Sequence, residues 1–130
     1  MKGVYVLIIS VGKDIRVNIG ALGSIFFERG LYAYVGSAQN GLERRVQRHR
    51  RKAKKKFWHI DYLLDNDAVR VVKVFYKEAD KPEECRIAGK LSEKGVAVMN
   101  FGCSDCGCVS HLFRIDDRGF LKNFMSDMQL

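Results

Sequence analysis

Residues Val4 to Val11 read VYVLIISV, a continuous apolar and β-branched run with one serine in it. Such a run is that of a buried strand, so the chain must build a sheet and cover it. No small-residue cleavage site follows at the spacing a signal peptide needs, and the stretch reads as a strand. No apolar run reaches the roughly 18 residues of a membrane span. No membrane partner and a cytoplasmic location are therefore the expectation.

The remaining elements follow from local patterning. Gly12-Lys13-Asp14 signals a turn. Ile15, Val17 and Ile19 alternate with Arg16 and Asn18, as in a half-buried strand. Ile25 to Phe27 and Leu31 to Val35 add two strands. Asn40 and Glu43 stand near capping-box spacing. Leu42, Val46, Ala53 and Phe57 then form one apolar helical stripe over about four turns. Trp58 to Leu64 reads as a second short helix and Ala68 to Tyr76 as a strand. Asp80 can cap a third helix, with Pro82 in its first turn and Gly95 at its end. Val96 to Phe101 predicts another strand and Leu112 to Ile115 a short one. Phe120 to Leu130 reads as a weakly amphipathic tail. With 130 residues and no linker composition, the expectation is one α+β domain over 1–130. It would be a small mixed sheet covered by helices.

Charge narrows the partner. Lys and Arg number 23 and Asp and Glu 15, a formal net charge of +8. Nine cations fall between Arg44 and Lys56 with no acid among them: Arg44, Arg45, Arg48, Arg50, Arg51, Lys52, Lys54, Lys55 and Lys56. Like charges four apart on a helix repel by roughly 0.2–0.5 kcal/mol per pair. A polyanion relieves that repulsion, and the phosphate backbone of nucleic acid is the expected one. No base-reading pattern is visible, so affinity without sequence preference is expected. His49 lies in the apolar stripe between Val46 and Ala53, where a histidine is usually a core-edge residue satisfied by a hydrogen bond.

The four cysteines are Cys85, Cys103, Cys106 and Cys108. Three of them crowd into six residues, which suits a metal or a special loop better than a disulfide framework. Cys103, Cys106, Cys108 and His111 are four soft or borderline donors in nine residues, a candidate zinc set. The alternative is a tight loop with cysteines buried as small hydrophobes.

Gly3-Val4-Tyr5, then Tyr34-Val35-Gly36-Ser37-Ala38, then Leu42-x-x-Arg45-Val46-x-x-His49, occur in an order that resembles the GIY-YIG endonucleases. Glu84, with Ile87 and Ala88 three and four residues on, resembles the family's metal-binding helix. Trp58-His59-Ile60-Asp61-Tyr62-Leu63 and Phe101-Gly102-x-Ser104-Asp105-Cys106-x-Cys108-x-x-His111-Leu112 resemble its small Uri-type, or DUF123, branch, some members of which are fused to a DNA-repair glycosylase. One departure stands out. Tyr5 and Tyr34 are far apart in sequence, which implies an extra hairpin near Ile15 to Phe27 packed outside the core strand pair.

The resemblance implies metal-dependent cleavage of DNA, with repair as a setting and RNA as a variant substrate. Tyr5 would be the general base or water-orienter, with Tyr34 beside it. Arg45 would brace the phosphate and His49 would assist proton transfer. Glu84 would hold Mg²⁺ or another divalent cation, leaving the other positions to water and phosphate. Arg44, Arg48, Arg51, Lys52, Lys54, Lys55 and Lys56 would hold nucleic acid, and Ser37 and His59 would border the pocket. Taken singly, each residue also has a plain structural reading: sheet tyrosines, a first-turn acid, one more surface cation. A non-catalytic nucleic-acid-binding module is therefore the alternative.

Overall fold

The computed structural model describes residues 1–52, 54–103 and 106–129. Six strands build one sheet in the order β6-β7-β4-β1-β5-β8. The strands are β1 Gly3–Val11, β4 Gly30–Ala38, β5 Val69–Lys77, β6 Gly95–Ala97, β7 Leu112–Ile115 and β8 Ser126–Asp127. Two further strands, β2 Ile15–Asn18 and β3 Ser24–Phe27, pair only with each other. The helices are α1 Leu42–Arg50, α2 His59–Leu64 and α3 Pro82–Lys94. All the strand pairings are antiparallel. This is the α+β architecture expected from the order of strand and helix patterns. Among the described residues no helix is long and apolar enough to cross a membrane.

The apolar run of β1 has a direct cause. Alternate side chains point to opposite faces, and both faces are covered. Tyr5, Leu7 and Ile9 pack with Leu42 and Val46 of α1 and Ile60, Leu63 and Leu64 of α2. Val4, Val6 and Ile8 pack with Ile87, Ala88 and Leu91 of α3, and with Leu121 and Met125. A strand buried on both sides tolerates no alternating polar residue.

The hairpin β2–β3 lies between β1 and β4 in sequence but outside their ladder, as the long spacing between the tyrosines implied. β1 therefore pairs with β4 directly, Tyr5 opposite Gly36 and Leu7 opposite Tyr34. Tyr5 and Tyr34 are thus diagonal neighbours on one face.

Three expected boundaries are corrected. The helix read as running to Phe57 ends at Arg50, and Arg51 is extended. The Lys54 ammonium donates to the carbonyls of His49 and Arg51, a cation closing the negative end of the helix. Phe57 is 75% exposed, and Ala53 lies outside the described residues. The third helix is capped by Lys81, with Pro82 in its first turn, while Asp80 pairs with Lys2. The strand read as Val96 to Phe101 is regular only over Gly95–Ala97. Beyond it the chain keeps an irregular pairing, Val98 N–H to Leu112 O, Asn100 N–H to Val109 O and His111 N–H to Phe101 O. Part of the tail adds β8 to the sheet beside β5.

Candidate functional site

Two glycines let the site form. A Cβ at Gly36 would collide with the ring and hydroxyl of Tyr5, which crosses β4 at that point. A Cβ at Gly3 would lie 2.6 Å from the Lys77 carbonyl oxygen, inside van der Waals contact with β5. The glycines of both motifs therefore serve close approach of strands and of the Tyr5 phenol.

The cleft above this point has a volume of about 560 Å³. Tyr5, Tyr34, Gly36 and Ser37 form its floor, with Arg45 from α1 and Trp58 and His59 from the start of α2. Lys81 and Glu84 come from the start of α3, and Gly102 and His111 from the β6–β7 loop. Of the residues singled out in the sequence, Tyr5, Tyr34, Ser37, Arg45, His59, Glu84 and His111 all line this one cleft. His49 sits behind Tyr5, 2% exposed, with its Nε2 2.7 Å from the Tyr5 hydroxyl.

The electrostatics follow from burial. Desolvation pushes the Tyr5 phenol well above its usual range, although the Arg45 guanidinium works against it. Burial raises the Tyr34 phenol as well. Burial lowers His49 to about 3, helped by the positive charges of Arg48, Arg45 and Lys54 and opposed by Asp61. The neutral imidazole this implies accepts a hydrogen bond from the Tyr5 hydroxyl at Nε2, and the two opposite shifts keep the proton on the phenol.

Arg45 is held from two sides. Its Nη1 donates to the Ser37 carbonyl at 3.1 Å, and its Cζ lies 4.5 Å from the centre of the Trp58 ring. Arg48 lies over the same ring at 4.5 Å. Arg48 also forks onto Asp61, with both N–H···O distances 2.9 Å. Asp61 in addition accepts the backbone N–H groups of Phe57 at 2.8 Å and Trp58 at 2.9 Å. Burial by itself would raise the Asp61 carboxyl, but the hydrogen bonds from Arg48, Trp58 and Phe57 hold it below its usual range. The sequence reading gave Asp61 no role. The signal available was an acid three residues into a helix that directly follows nine cations. Asp61→Ala should destabilise the fold by about 3–5 kcal/mol, because it leaves the half-buried Arg48 fork without its counter-charge. Urea denaturation measures this; a loss under about 1 kcal/mol, the size of an exposed pair, would show the pair to be merely superficial.

His59 lines the cleft and also ties down its wall: its Nδ1 accepts the Gly102 N–H at 2.9 Å. Burial lowers its pKa. Several cations of the basic segment make contacts within the chain. Lys52 Nζ donates to three carbonyls, Leu64 at 2.6 Å, Asn66 at 3.0 Å and Val69 at 2.6 Å. Lys56 pairs with Asp65 at 3.5 Å. With Arg48 on Asp61 and Lys54 on the end of α1, four of the seven nominated cations have partners within the chain. Arg44, Arg51 and Lys55 are exposed. Arg44, Arg45, Arg48 and Arg51 line a second depression of about 530 Å³ that shares Arg45 with the cleft.

The candidate metal set is corrected in one member. Cys85, Cys106, Cys108 and His111 offer ligand atoms all within 4.8 Å of one another. Cys103 is outside that group, its Sγ 3.7 Å from the Val109 carbonyl. Cys85 comes from α3, 23 residues before Cys108, so no local spacing could reveal it. This Cys₃His cluster could hold a metal ion.

No curated protein and no solved structure matches the chain. One family model does, described as a domain of unknown function, DUF123, and it covers residues 4–129. With the match running from the second residue of β1 to the end of the described tail, the chain belongs to the DUF123 family.

Proposed function

We propose that this chain is a divalent-metal-dependent endonuclease of GIY-YIG type that hydrolyses phosphodiester bonds in DNA. The observation that carries the reading is the meeting of Tyr5, Tyr34, Arg45 and Glu84 in one cleft, with Tyr5 hydrogen-bonded to a neutral His49. These residues come from β1, β4, α1 and α3. A sheet tyrosine or a surface cation needs no such convergence.

Each side chain has a task. The Tyr5 hydroxyl, donating to His49 Nε2 2.7 Å away, orients the attacking water, and it would serve as the base only where a bound cation draws its own proton off. Arg45, kept in place by Ser37 and Trp58, offers a planar, permanently charged fork to the scissile phosphate. Glu84 is the one carboxylate among the described residues that line the cleft, which fits magnesium, an ion that keeps water and phosphate on its remaining positions. A magnesium ion bound there would supply charge neutralisation of the phosphate oxygens. The exposed Phe57 ring at the cleft, packed edge-on against Trp58 at 5.3 Å, offers a face on which an unpaired base can stack. Cysteines grouped around one point, as Cys85, Cys106 and Cys108 are, suit a reducing, cytoplasmic setting, and the resemblance to proteins joined to repair glycosylases makes DNA repair the proposed context.

One observation favours the second reading, a binding module without catalysis: Tyr5 is 1% exposed. Supercoiled plasmid incubated with the purified chain separates the two. Nicking that requires Mg²⁺ and stops with chelator is the expected result. Plasmid that is bound but left intact at every divalent ion tried would leave the binding module in its place.

A further inference from the structure

The cysteines of this chain do not belong to the cleft chemistry, yet they gather at its wall. Cys85 Sγ lies 2.6 Å from Cys108 Sγ, and Cys106 Sγ lies 3.3 Å from His111 Nε2. All four donor atoms fall within 4.8 Å of one another. In a tetrahedral zinc site, Zn–S of about 2.3 Å and Zn–N of about 2.0–2.1 Å place the donors roughly 3.5–3.8 Å apart. The cluster reaches that geometry by small side-chain shifts, with no change of backbone topology. It also joins two separated segments, α3 and the β6–β7 loop, as closed structural zinc sites do.

His111 gives the cluster a second contact. It is 2% exposed, with Nε2 toward the sulfurs and Nδ1 3.8 Å from Glu84 Oε2. A metal on Nε2 leaves the imidazole proton on Nδ1, facing the carboxylate. That is the order carboxylate, histidine, metal, in which the carboxylate fixes the ring and raises its basicity as a ligand. Glu84 also directly precedes Cys85 on α3, so it borders the set along the chain at Cys85 and in space at His111.

We propose that Cys85, Cys106, Cys108 and His111 hold one zinc ion, a clasp that fastens the β6–β7 loop to α3 and, through His111, orients Glu84. Three thiolates select a soft or borderline ion over magnesium, so this site and Glu84 take different metals. The clasp fixes Glu84, Gly102 and His111, which together form one wall of the cleft. The zinc assignment stands independently of the nuclease reading; only the catalytic use of an oriented Glu84 rests on it.

The test uses the full chain, purified under reducing conditions without an affinity metal. Elemental analysis should find one zinc per chain in the natural protein and in Cys103→Ser, and almost none in Cys85→Ser. That contrast separates the cluster formed in the fold from the contiguous set Cys103, Cys106, Cys108 and His111. Cobalt loaded in place of zinc should give the intense thiolate-to-cobalt absorption of a tetrahedral site, a readout on the natural sequence that no folding defect can imitate. Glu84→Gln should weaken zinc affinity by roughly 10-fold, measured by competition with a chromophoric chelator. Unchanged affinity would remove Glu84 from the clasp. A metal-free chain carrying a Cys85–Cys108 disulfide, or zinc lost in Cys103→Ser and kept in Cys85→Ser, would overturn the site.

Discussion

Arg45→Ala and Glu84→Gln should each lower Mg²⁺-dependent plasmid nicking by roughly 10²–10³-fold, the usual cost of removing a positioned group that stabilises transition-state charge. Binding to the same DNA should change little. Arg44, Arg51 and Lys55 remain exposed in both variants, and on this proposal they would supply the sequence-independent attraction to phosphate. The two substitutions differ in mechanism. In the proposed mechanism Arg45 braces the phosphate directly, so its loss should persist at any Mg²⁺ concentration. Glu84 in the same proposal acts through the divalent ion, so part of its loss should return as Mg²⁺ is raised. Trp58→Ala serves as a comparison, since it removes the ring under Arg45 but leaves the guanidinium and its bond to Ser37. Its activity should fall between those of the natural chain and Arg45→Ala. Natural rates in both Arg45→Ala and Glu84→Gln would mean that the roles carried over from the family resemblance are wrong for this chain.

Acid should unfold the protein through His49. Its imidazole is lowered to about 3, chiefly by burial, against an ordinary value near 6.5. Between those values the unfolded chain binds a proton on this residue that the folded chain does not. Stability therefore rises with pH across that window and falls as pH drops below about 6.5. At about 1.4 kcal/mol per pH unit for one proton, some 2–3 kcal/mol should be lost between about pH 6.5 and pH 4.5. Asp61 works in a different range. Its pKa is held below the usual carboxylate value, so its stabilising charge is lost only at still lower pH. His59, also lowered by burial, adds a slope of the same sign as His49. The difference between the natural chain and His49→Gln isolates His49. The variant should be less stable at neutral pH, having lost the imidazole that packs against Tyr5, yet its stability should vary less from about pH 6.5 to 4.5. Urea denaturation at several pH values measures both quantities. Equal pH slopes in the two proteins would mean that His49 is not a buried neutral imidazole, and its part in orienting the Tyr5 hydroxyl would go with it.

The sequence by itself determined those features that a short stretch of chain carries within its own periodicity. The run from Val4 to Val11 could only be a strand without a solvent face, and β1 is buried on both sides. Pro82 and Gly95 bracket α3 because one suits the first turn of a helix and the other its end. The ordered glycines and tyrosines of the two motifs were legible because close strand contact restricts Gly3 and Gly36 wherever they occur. The tertiary structure decided the rest. Apolar spacing carried α1 on to Phe57, but the helix stops at Arg50, where the lysines beyond it satisfy its open carbonyls and those at the end of α2. A string of nine positive charges does not say which of them find an internal acceptor; Asp61 and the carbonyls after α2 decide that from elsewhere in the chain. Cys85 joins Cys106, Cys108 and His111 only because α3 packs beside the β6–β7 loop. Tyr5 meets His49 only because the inserted hairpin leaves the β1–β4 ladder intact. Periodicity is set by neighbours three or four residues away. A site is set by distances in space between residues that the chain separates by dozens, and those distances exist only once both faces of the sheet are packed.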